Sequence, residues 1–387
     1  MAEPVGAPFW EERHERIYRQ ARALAVSKLE AIEEKAETDL QGAARESVRL
    51  MAKAGLLKLV VPKSLGGASE PVEVRSILAA REGIAYGSGL ADALFALQGL
   101  GAFPLTLGGS AEQQKAWLPR IAKGEAIAGF AITEPNAGSD VAAMTTHAKQ
   151  TPRGWQLDGT KTFISNAGLA DYYTLFAKTD PKAGSKGVSC FILPANARGL
   201  KAEPLRLLAT HPIGTLHLKN VRLPRDALVG GEGDGLKLAY GTLDRMRPSV
   251  AAAACGFARR ALDEAVARAK SRKQFGKAIG ENQGLRWRLA DAATELEAAR
   301  LLVHRAGWKK DLGAERITVE AAQAKLYATE AAHRIVDLAL QVHGASGTIH
   351  GAVVERLYRE VRALRIYEGT SEILREIIGR AMFPMAA

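Results

Sequence analysis

The chain predicts an α+β fold in which a small β unit stands between two helical regions. Three observations carry that prediction. Up to about residue 125, apolar residues recur at three- and four-residue spacing, as in Ile17-Ala21-Leu24-Ala25 and Leu50-Met51-Ala54-Leu57. From there to the glycine cluster Gly230, Gly231, Gly233 and Gly235, the pattern turns to short β-type runs punctuated by Pro, Gly and Asn. Beyond that cluster the helical period returns and continues almost to the end. All-helix, all-strand, all-helix is an α+β order, not an alternating α/β one. The expected domains are therefore a helical N-terminal domain (1–125), a middle β-barrel or sandwich domain (126–234) and a C-terminal four-helix-bundle domain (235–387).

In the first region, Pro62-Lys63-Ser64-Leu65-Gly66-Gly67 breaks the helical pattern, and a second apolar helix is expected over 77–101. In the β unit, residues 155–164 alternate around Asp158-Gly159, which signals a hairpin with a primed turn. Residues 172–178, 187–193 and 216–223 are three further strand-like runs. The Ala-rich faces of 250–269, 289–308 and 319–343 suit a tight antiparallel bundle.

With 387 residues, 47% of them hydrophobic, the chain is long enough to bury a sizeable core in two or three packed units. No uninterrupted apolar run reaches the length of about 18 residues that a membrane span needs. The polar, acidic start (1–13) lacks an apolar signal segment, and Cys190 and Cys255 sit in apolar contexts without metal-ligand spacing. A reducing, cytoplasmic setting without membrane or metal is the expectation. The net charge of +11 is uneven: residues 1–125 carry 16 basic and 16 acidic side chains, 126–234 carry 12 and 9, and 235–387 carry 25 and 17. A basic C-terminal third suits a phosphate-rich cofactor or substrate, an acidic protein or a nucleic acid, yet no Lys/Arg block reads as a nucleic-acid tail.

Five stretches carry chemistry. Ile366-Tyr367-Glu368-Gly369-Thr370-Ser371-Glu372-Ile373 follows an Arg-rich helical run and sets a carboxylate directly before a glycine. Alone, Glu368 is either a solvated helix C-cap or a general base aimed into a pocket from a helix-to-loop break. Phe130-Ala131-Ile132-Thr133-Glu134-Pro135-Asn136-Ala137-Gly138-Ser139-Asp140 offers hydroxyls, small residues and close backbone approach to a flat polar ligand; its bland reading is a surface turn. Phe163 and Ser165 fall on one strand face around Ile164, so they either stack on and hydrogen-bond a planar ring or form a half-buried strand. Arg272-Lys273-Gln274-Phe275-Gly276-Lys277, followed by Asn282-Gln283, suits a pyrophosphate with an adjacent adenine. Gln341-Val342-His343-Gly344-Ala345-Ser346-Gly347 is a glycine-rich helix break able to donate amides to a nucleotide, or simple helix termination.

In order and spacing, Ile132 to Asp140, Phe163 to Asn166, Arg272 to Gly276, Gln341 to Gly344 and Ile366 to Ile373 resemble the motif set of the acyl-CoA dehydrogenase family, over nearly the whole chain. The resemblance implies an FAD enzyme that oxidises an acyl-CoA thioester to a 2-enoyl-CoA, with Glu368 as the α-proton base and the β-hydrogen passing as hydride to flavin N5. It implies stabilisation of the thioester oxyanion by the Glu368 backbone amide and an FAD ribose hydroxyl. FAD contacts carried over are Phe130, Ile132, Thr133, Ser139, Phe163, Ile164 and Ser165, with Thr370 and Glu372 closing over the cofactor. Arg272, Gln274, Phe275, Gln283, Gln341, Val342, Gly344 and Ala345 resemble residues that reach the FAD of a neighbouring subunit. Ser139, Asp244, Arg247 and Gly369 match CoA contacts. Implied partners are an electron-transfer flavoprotein and copies of the chain itself, in a homotetramer.

The chain departs from the family pattern at several points. Some relatives place the base on the helix after the β unit, where this chain has Met246, leaving Glu368 as the base candidate. Phe163 stands for the usual Trp, Ser165 for Thr, Asn136 for a common Gly and Ala345 for Gly. The acyl-pocket helix expected over 90–100 offers no arginine for a dicarboxylyl substrate, and its lone Asp92 reads either as a helix-surface residue or as a second acid/base group. Two other readings are an acyl-CoA oxidase or flavin monooxygenase on this fold, and a flavoprotein of this fold that binds nucleic acid through its basic C-terminal domain.

Overall fold

In a computed structural model describing residues 9–383, the chain has the three-part order of helices, β-sheet and helices. By packing it divides into two compact units, one of residues 1–34, 74–92 and 247–387, the other of 35–73 and 93–246. Two of the divisions, at 92/93 and 246/247, fall inside the helices Gly89–Gly108 and Gly235–Ser271.

The second unit is built on an eight-stranded sheet. Its strands are β1 (Ala128–Ala131), β2 (His147–Thr151), β3 (Gly154–Ser165), β4 (Tyr172–Lys178), β5 (Val188–Pro194), β6 (Leu200–Pro204), β7 (Ile213–Leu223) and β8 (Leu228–Val229). The order is β6-β7-β3-β2-β4-β5-β8, with β1 parallel to β4 off that path. Inward residues of β3, β4, β5 and β7, among them Trp155, Leu157, Tyr173, Phe191 and Val221, form its core. Burial alternates along much of β3 and β7, whereas β4 and β5 are continuous buried runs bounded by turn residues.

The hairpin expected at Asp158-Gly159 is not there. Residues 154–165 form one continuous strand, and β2 turns into β3 at Pro152-Arg153, pairing Thr151 with Gly154. Asp158-Gly159 instead makes a bulge against β7, with the register slipping between Leu157 and Gly159. Gly159 takes φ +150°, and a Cβ there would come within 2.7 Å of the Thr146 backbone. Asp158 Oδ1 accepts the Asn220 N–H across the bulge at 2.7 Å. Asp-Gly supplies positive φ to a bulge as readily as to a turn; the partner strand decides which.

The other unit is helical. An Ala-rich core joins Val250, Ala254, Ala258 and Leu262 to Leu296 and Val303 from the helix Gln283–Asp311, and to Ala324, Ala328 and Val336 from the helix Thr318–His343. Small side chains let these helices approach closely. The single helix expected over 77–101 is two, Val74–Ala85 and Gly89–Gly108, because the chain breaks at 86–88 and the Ser88 hydroxyl accepts the Ala91 N–H at 3.1 Å as a new cap. Gly89–Gly108 is the one helix among the described residues long and apolar enough to cross a membrane, but 83% of its apolar window is buried, so it is a core helix.

Candidate functional site

Glu368 lies in the six-residue turn 365–370 between the helices Val353–Leu364 and Ser371–Met382. The first helix buries Val354, Leu357, Val361 and Leu364 on one face and ends at Arg365. The next starts at once, because the Thr370 side chain accepts the Ile373 N–H at 3.3 Å. The Ser371 N–H donates to Arg365 O at 3.1 Å and the Ser371 hydroxyl to Glu330 Oε1 at 2.7 Å, closing the turn. Within it Glu368 adopts φ +53° and Gly369 φ +103°. A left-handed glutamate is strained and persists only where its surroundings fix it.

Two cations fix it. Lys325 Nζ donates to Tyr367 O and Gly369 O, both at 2.5 Å, and Arg247 Nε donates to Glu368 O at 2.9 Å. Three consecutive carbonyls are thereby turned toward buried positive charge, and the Glu368 side chain is left to point elsewhere. Its Oε2 is shielded from solvent without a hydrogen-bond partner, and among the described residues its N–H also has none. Burial pushes the Glu368 carboxyl above its ordinary range; Arg81, Lys325 and Arg247 oppose this, and Asp92 adds to it. An unpartnered carboxylate of raised proton affinity, beside a free amide of the same residue, is suited to take a proton from carbon next to a carbonyl that the amide polarises.

Asp92 is neither a surface residue nor a free acid/base group. It is 2% exposed and receives Arg81 as a fork, Nε to Oδ1 and Nη2 to Oδ2 at 2.8 Å each. Arg81 Nη1 also donates to Ser249 Oγ at 2.9 Å. A carboxylate committed to both arms of a buried guanidinium has no lone pair well placed for proton transfer.

In the sheet unit the first two motifs meet. The Thr162 N–H donates to Thr133 O at 2.9 Å, and Lys161 Nζ donates to Ile132 O at 3.0 Å and to Glu134 Oε1 at 2.9 Å. Glu134 also accepts from the Thr145 and Thr146 amides, at 2.6 and 2.9 Å. Burial raises the Glu134 carboxyl, but Lys161 and these amides outweigh it and bring it to about 2. Burial likewise lowers Lys161, to about 8, although Glu134 raises it, so the pair is ionised at neutral pH. This buried pair pins the 132–134 segment against β3. Beside it, a second register slip between Lys161 and Ile164 puts Phe163 at φ +54°, 59% exposed, with Ser165 half-buried on the same side and Ile164 in the core. Phe130 packs on Phe176 with ring centroids 4.9 Å apart, and Ser139 is exposed in the following loop. Met246, at the alternative base position, is fully buried, and its thioether occupies the space where Gly99 lacks a side chain.

Asp244 is buried, as is Arg247, whose guanidinium, expected at CoA, holds the Glu368 carbonyl. Glu372 is exposed, and Thr370 serves as the helix cap already described. The remaining nucleotide candidates lie at separate turns of the helical unit. Lys273–Gln274 and Lys277–Ala278 form a small hairpin whose primed turn is Phe275-Gly276, so the 272–277 cluster is a hairpin and not a plain helix–helix turn. Arg272, Gln274 and Phe275 are exposed there, Phe275 fully. Gln283 opens the helix Gln283–Asp311, while Gln341, Val342, Gly344 and Ala345 surround the C-terminus of Thr318–His343, where Gly344 takes φ +61°. Sequence reading missed Lys325, Arg81 and Ser249. The available signal for Lys325 is a lone lysine in the apolar stripe of Ala321, Ala324, Ala328, Ala331 and Ala332.

The chain matches the acyl-CoA dehydrogenase N-terminal domain over residues 11–125, the middle domain over 129–221 and the C-terminal domain over 233–383. It is 38% identical to the 3-(aryl)acrylate reductase of Clostridium sporogenes over 374 residues, 96% of this chain and 98% of that one. It is 37% identical to the caffeyl-CoA reductase-Etf complex subunit CarC of Acetobacterium woodii, covering 96% and 98%. The structure of glutaryl-CoA dehydrogenase from Mycobacterium smegmatis in complex with FADH2 superposes with a TM-score of 0.88 at 29% identity, covering 98% of this chain and 96% of that one. The chain belongs to the acyl-CoA dehydrogenase family and is an oxidoreductase of that family.

Proposed function

We propose that the protein is an FAD-dependent acyl-CoA dehydrogenase in which Glu368 removes the α-proton of an acyl-CoA thioester. The observation that carries this reading is the state of Glu368 itself: a carboxylate in a clamped left-handed turn, with Oε2 and the N–H both unpartnered among the described residues and its proton affinity raised by burial. Family membership and the flavin in the glutaryl-CoA dehydrogenase complex support FAD as the cofactor. The residues fit that group. Phe163 presents an aromatic face that its own sheet leaves uncovered, Ser165 offers a hydroxyl beside it, and the Lys161–Glu134 pair makes the 132–134 backbone rigid. When bound, the flavin supplies the hydride acceptor for the β-hydrogen.

The chain's own residues then have separable tasks. Glu368 takes the α-proton, and its N–H donates to the developing thioester oxyanion, where charge appears only as the proton leaves. Arg247 and Lys325 keep the carbonyl ends of the turn away from that oxyanion. Asp244 and Ser139 are proposed to hold CoA. Exposed Arg272, Gln274, Phe275, Gln283, Gln341, Gly344 and Ala345, with half-buried Val342, are proposed to complete the cofactor site of a neighbouring copy in a homotetramer. The CarC relative belongs to an Etf complex, which supports an electron-transfer flavoprotein as electron acceptor.

A second reading has a specific observation in its favour: two of the relatives above are reductases. The same geometry runs in reverse, with protonated Glu368 delivering the α-proton to an enoyl group. An anaerobic acyl-CoA and enoyl-CoA panel separates the directions. Bleaching of the oxidised flavin by a saturated acyl-CoA, with slow reoxidation in air and fast reoxidation by electron-transfer flavoprotein, is the expected result. Rapid reoxidation by air would identify an oxidase instead.

A further inference from the structure

We propose that Lys325 is the positioning residue of this site, holding Glu368 in its working turn through the carbonyls on either side of it. This rests on the reading of Glu368 as the base and assigns that base its support. The side chain of Lys325 is fully buried, on the helix Thr318–His343, among alanines that need no charge to pack. A buried ammonium is costly unless its donors are used. Here two of them bridge Tyr367 O and Gly369 O at 2.5 Å, straddling the residue at φ +53°. The carbonyl between goes to Arg247 at 2.9 Å. With its carbonyl tied on one side and both neighbours tied on the other, the peptide path at Glu368 cannot relax to a right-handed turn without breaking three hydrogen bonds.

The same amine acts on the charge of the base. The charged and titratable groups facing Lys325 are Glu368, which raises its proton affinity, and Arg247, which lowers it; burial is the largest influence and brings the ammonium down to about 7. Facing Glu368 are Arg81, Lys325 and Arg247 as cations and Asp92 as the opposing anion. A neutral amine still has two N–H groups, so the clamp survives deprotonation, whereas the charge that favours ionised Glu368 does not. Lys325 therefore has two separable effects: its donors set the geometry, and its charge sets the pH at which Glu368 becomes a base.

The test uses the FAD-loaded enzyme and three substitutions, with folding checked by circular dichroism and flavin content. Lys325→Met removes donors and charge. It is expected to lower kcat on the order of 10²-fold, with KM little changed, and to move the acid limb of the kcat profile to higher pH. Lys325→Gln keeps donors without charge, and is expected to recover part of kcat while retaining the shifted limb. Lys325→Arg keeps both, and is expected to retain the wild-type limb; Lys325→Gln decides the matter if the methionine variant does not fold. Wild-type kcat in a folded Lys325→Met enzyme overturns the positioning role, and a limb that stays at its wild-type position in both neutral variants overturns the charge effect. Glu368→Gln run in parallel separates the two claims: an active Glu368→Gln enzyme removes the base, whereas an inactive one with an unshifted Lys325→Gln removes only the charge effect of Lys325.

Discussion

Arg81 and Asp92 form a two-pronged ion pair, 2.8 Å at both contacts and almost wholly buried, eleven residues apart across the break between two helices. Arg81 lowers the proton affinity of Glu368 and Asp92 raises it, so the pair bears on the base with opposing charges, of which Arg81 is the stronger.

Asp92→Asn leaves the guanidinium of Arg81 short of a counter-charge. Breaking one side of a buried pair costs roughly 3–5 kcal/mol in general, and the amide retains one acceptor, so the loss here belongs at the low end. With the negative charge gone, Glu368 ionises more easily, and the acid limb of the activity profile moves to lower pH. Thermal unfolding and a kcat profile on the same variant check both. Unchanged stability with abolished turnover would instead restore Asp92 as an acid/base group.

Acid should loosen both packing units through carboxyls held low by their partners. Burial raises Glu82, but Arg300 (2.7 Å) and His304 outweigh it and bring it to about 2, as Lys161 and the Thr145 and Thr146 amides do for Glu134. Both start from 4.5. A carboxyl lower in the folded than in the unfolded state contributes stability that is full above the unfolded value and is lost as pH falls toward the folded one. The unfolding temperature is therefore expected to hold down to about pH 4.5 and to drop between there and about 2. A flat profile across that window would show that neither ion pair contributes.

Phe163 packs on little of its own sheet, so Phe163→Ala should leave the unfolding temperature of the flavin-free protein nearly unchanged. Flavin retention should fall, since an aromatic contact contributes roughly 1 kcal/mol beyond area burial. Titration of the apoprotein with FAD measures it. Equal affinity in the variant would move the flavin away from this face.

How far the sequence led depends on what kind of contact each feature needs. The long Ala-rich helices were legible because their period is local, β3 and β7 because alternation is local, and β4 and β5 because a short apolar run between turn residues is local too. The weak strands β1, β6 and β8 carry no such signal and exist through their neighbours. Asp158-Gly159 was misread because the dipeptide specifies a backbone angle, not the strand that it faces. Asp92 stood out as a charge on an apolar helix, but its partner becomes visible only once the chain breaks at 86–88 and folds back. Lys325 is marked only as a lone lysine in an alanine stripe, and what it holds is hidden for a deeper reason. Its partners are main-chain carbonyls 42 and 44 residues away, and no side-chain pattern records them. Glu368 is found through the order of its neighbouring motifs, while the left-handed turn that it occupies is visible only in the structure.

The most direct test of the account is anaerobic mixing of a bleaching acyl-CoA with the FAD-loaded wild type and with Glu368→Gln. The variant keeps the shape of the side chain and both ends of its clamped turn, and loses only the carboxylate. Wild-type flavin should bleach within the turnover time, and the variant should bind the same thioester yet leave its flavin oxidised. Full bleaching of Glu368→Gln at the wild-type rate would contradict Glu368 as the base.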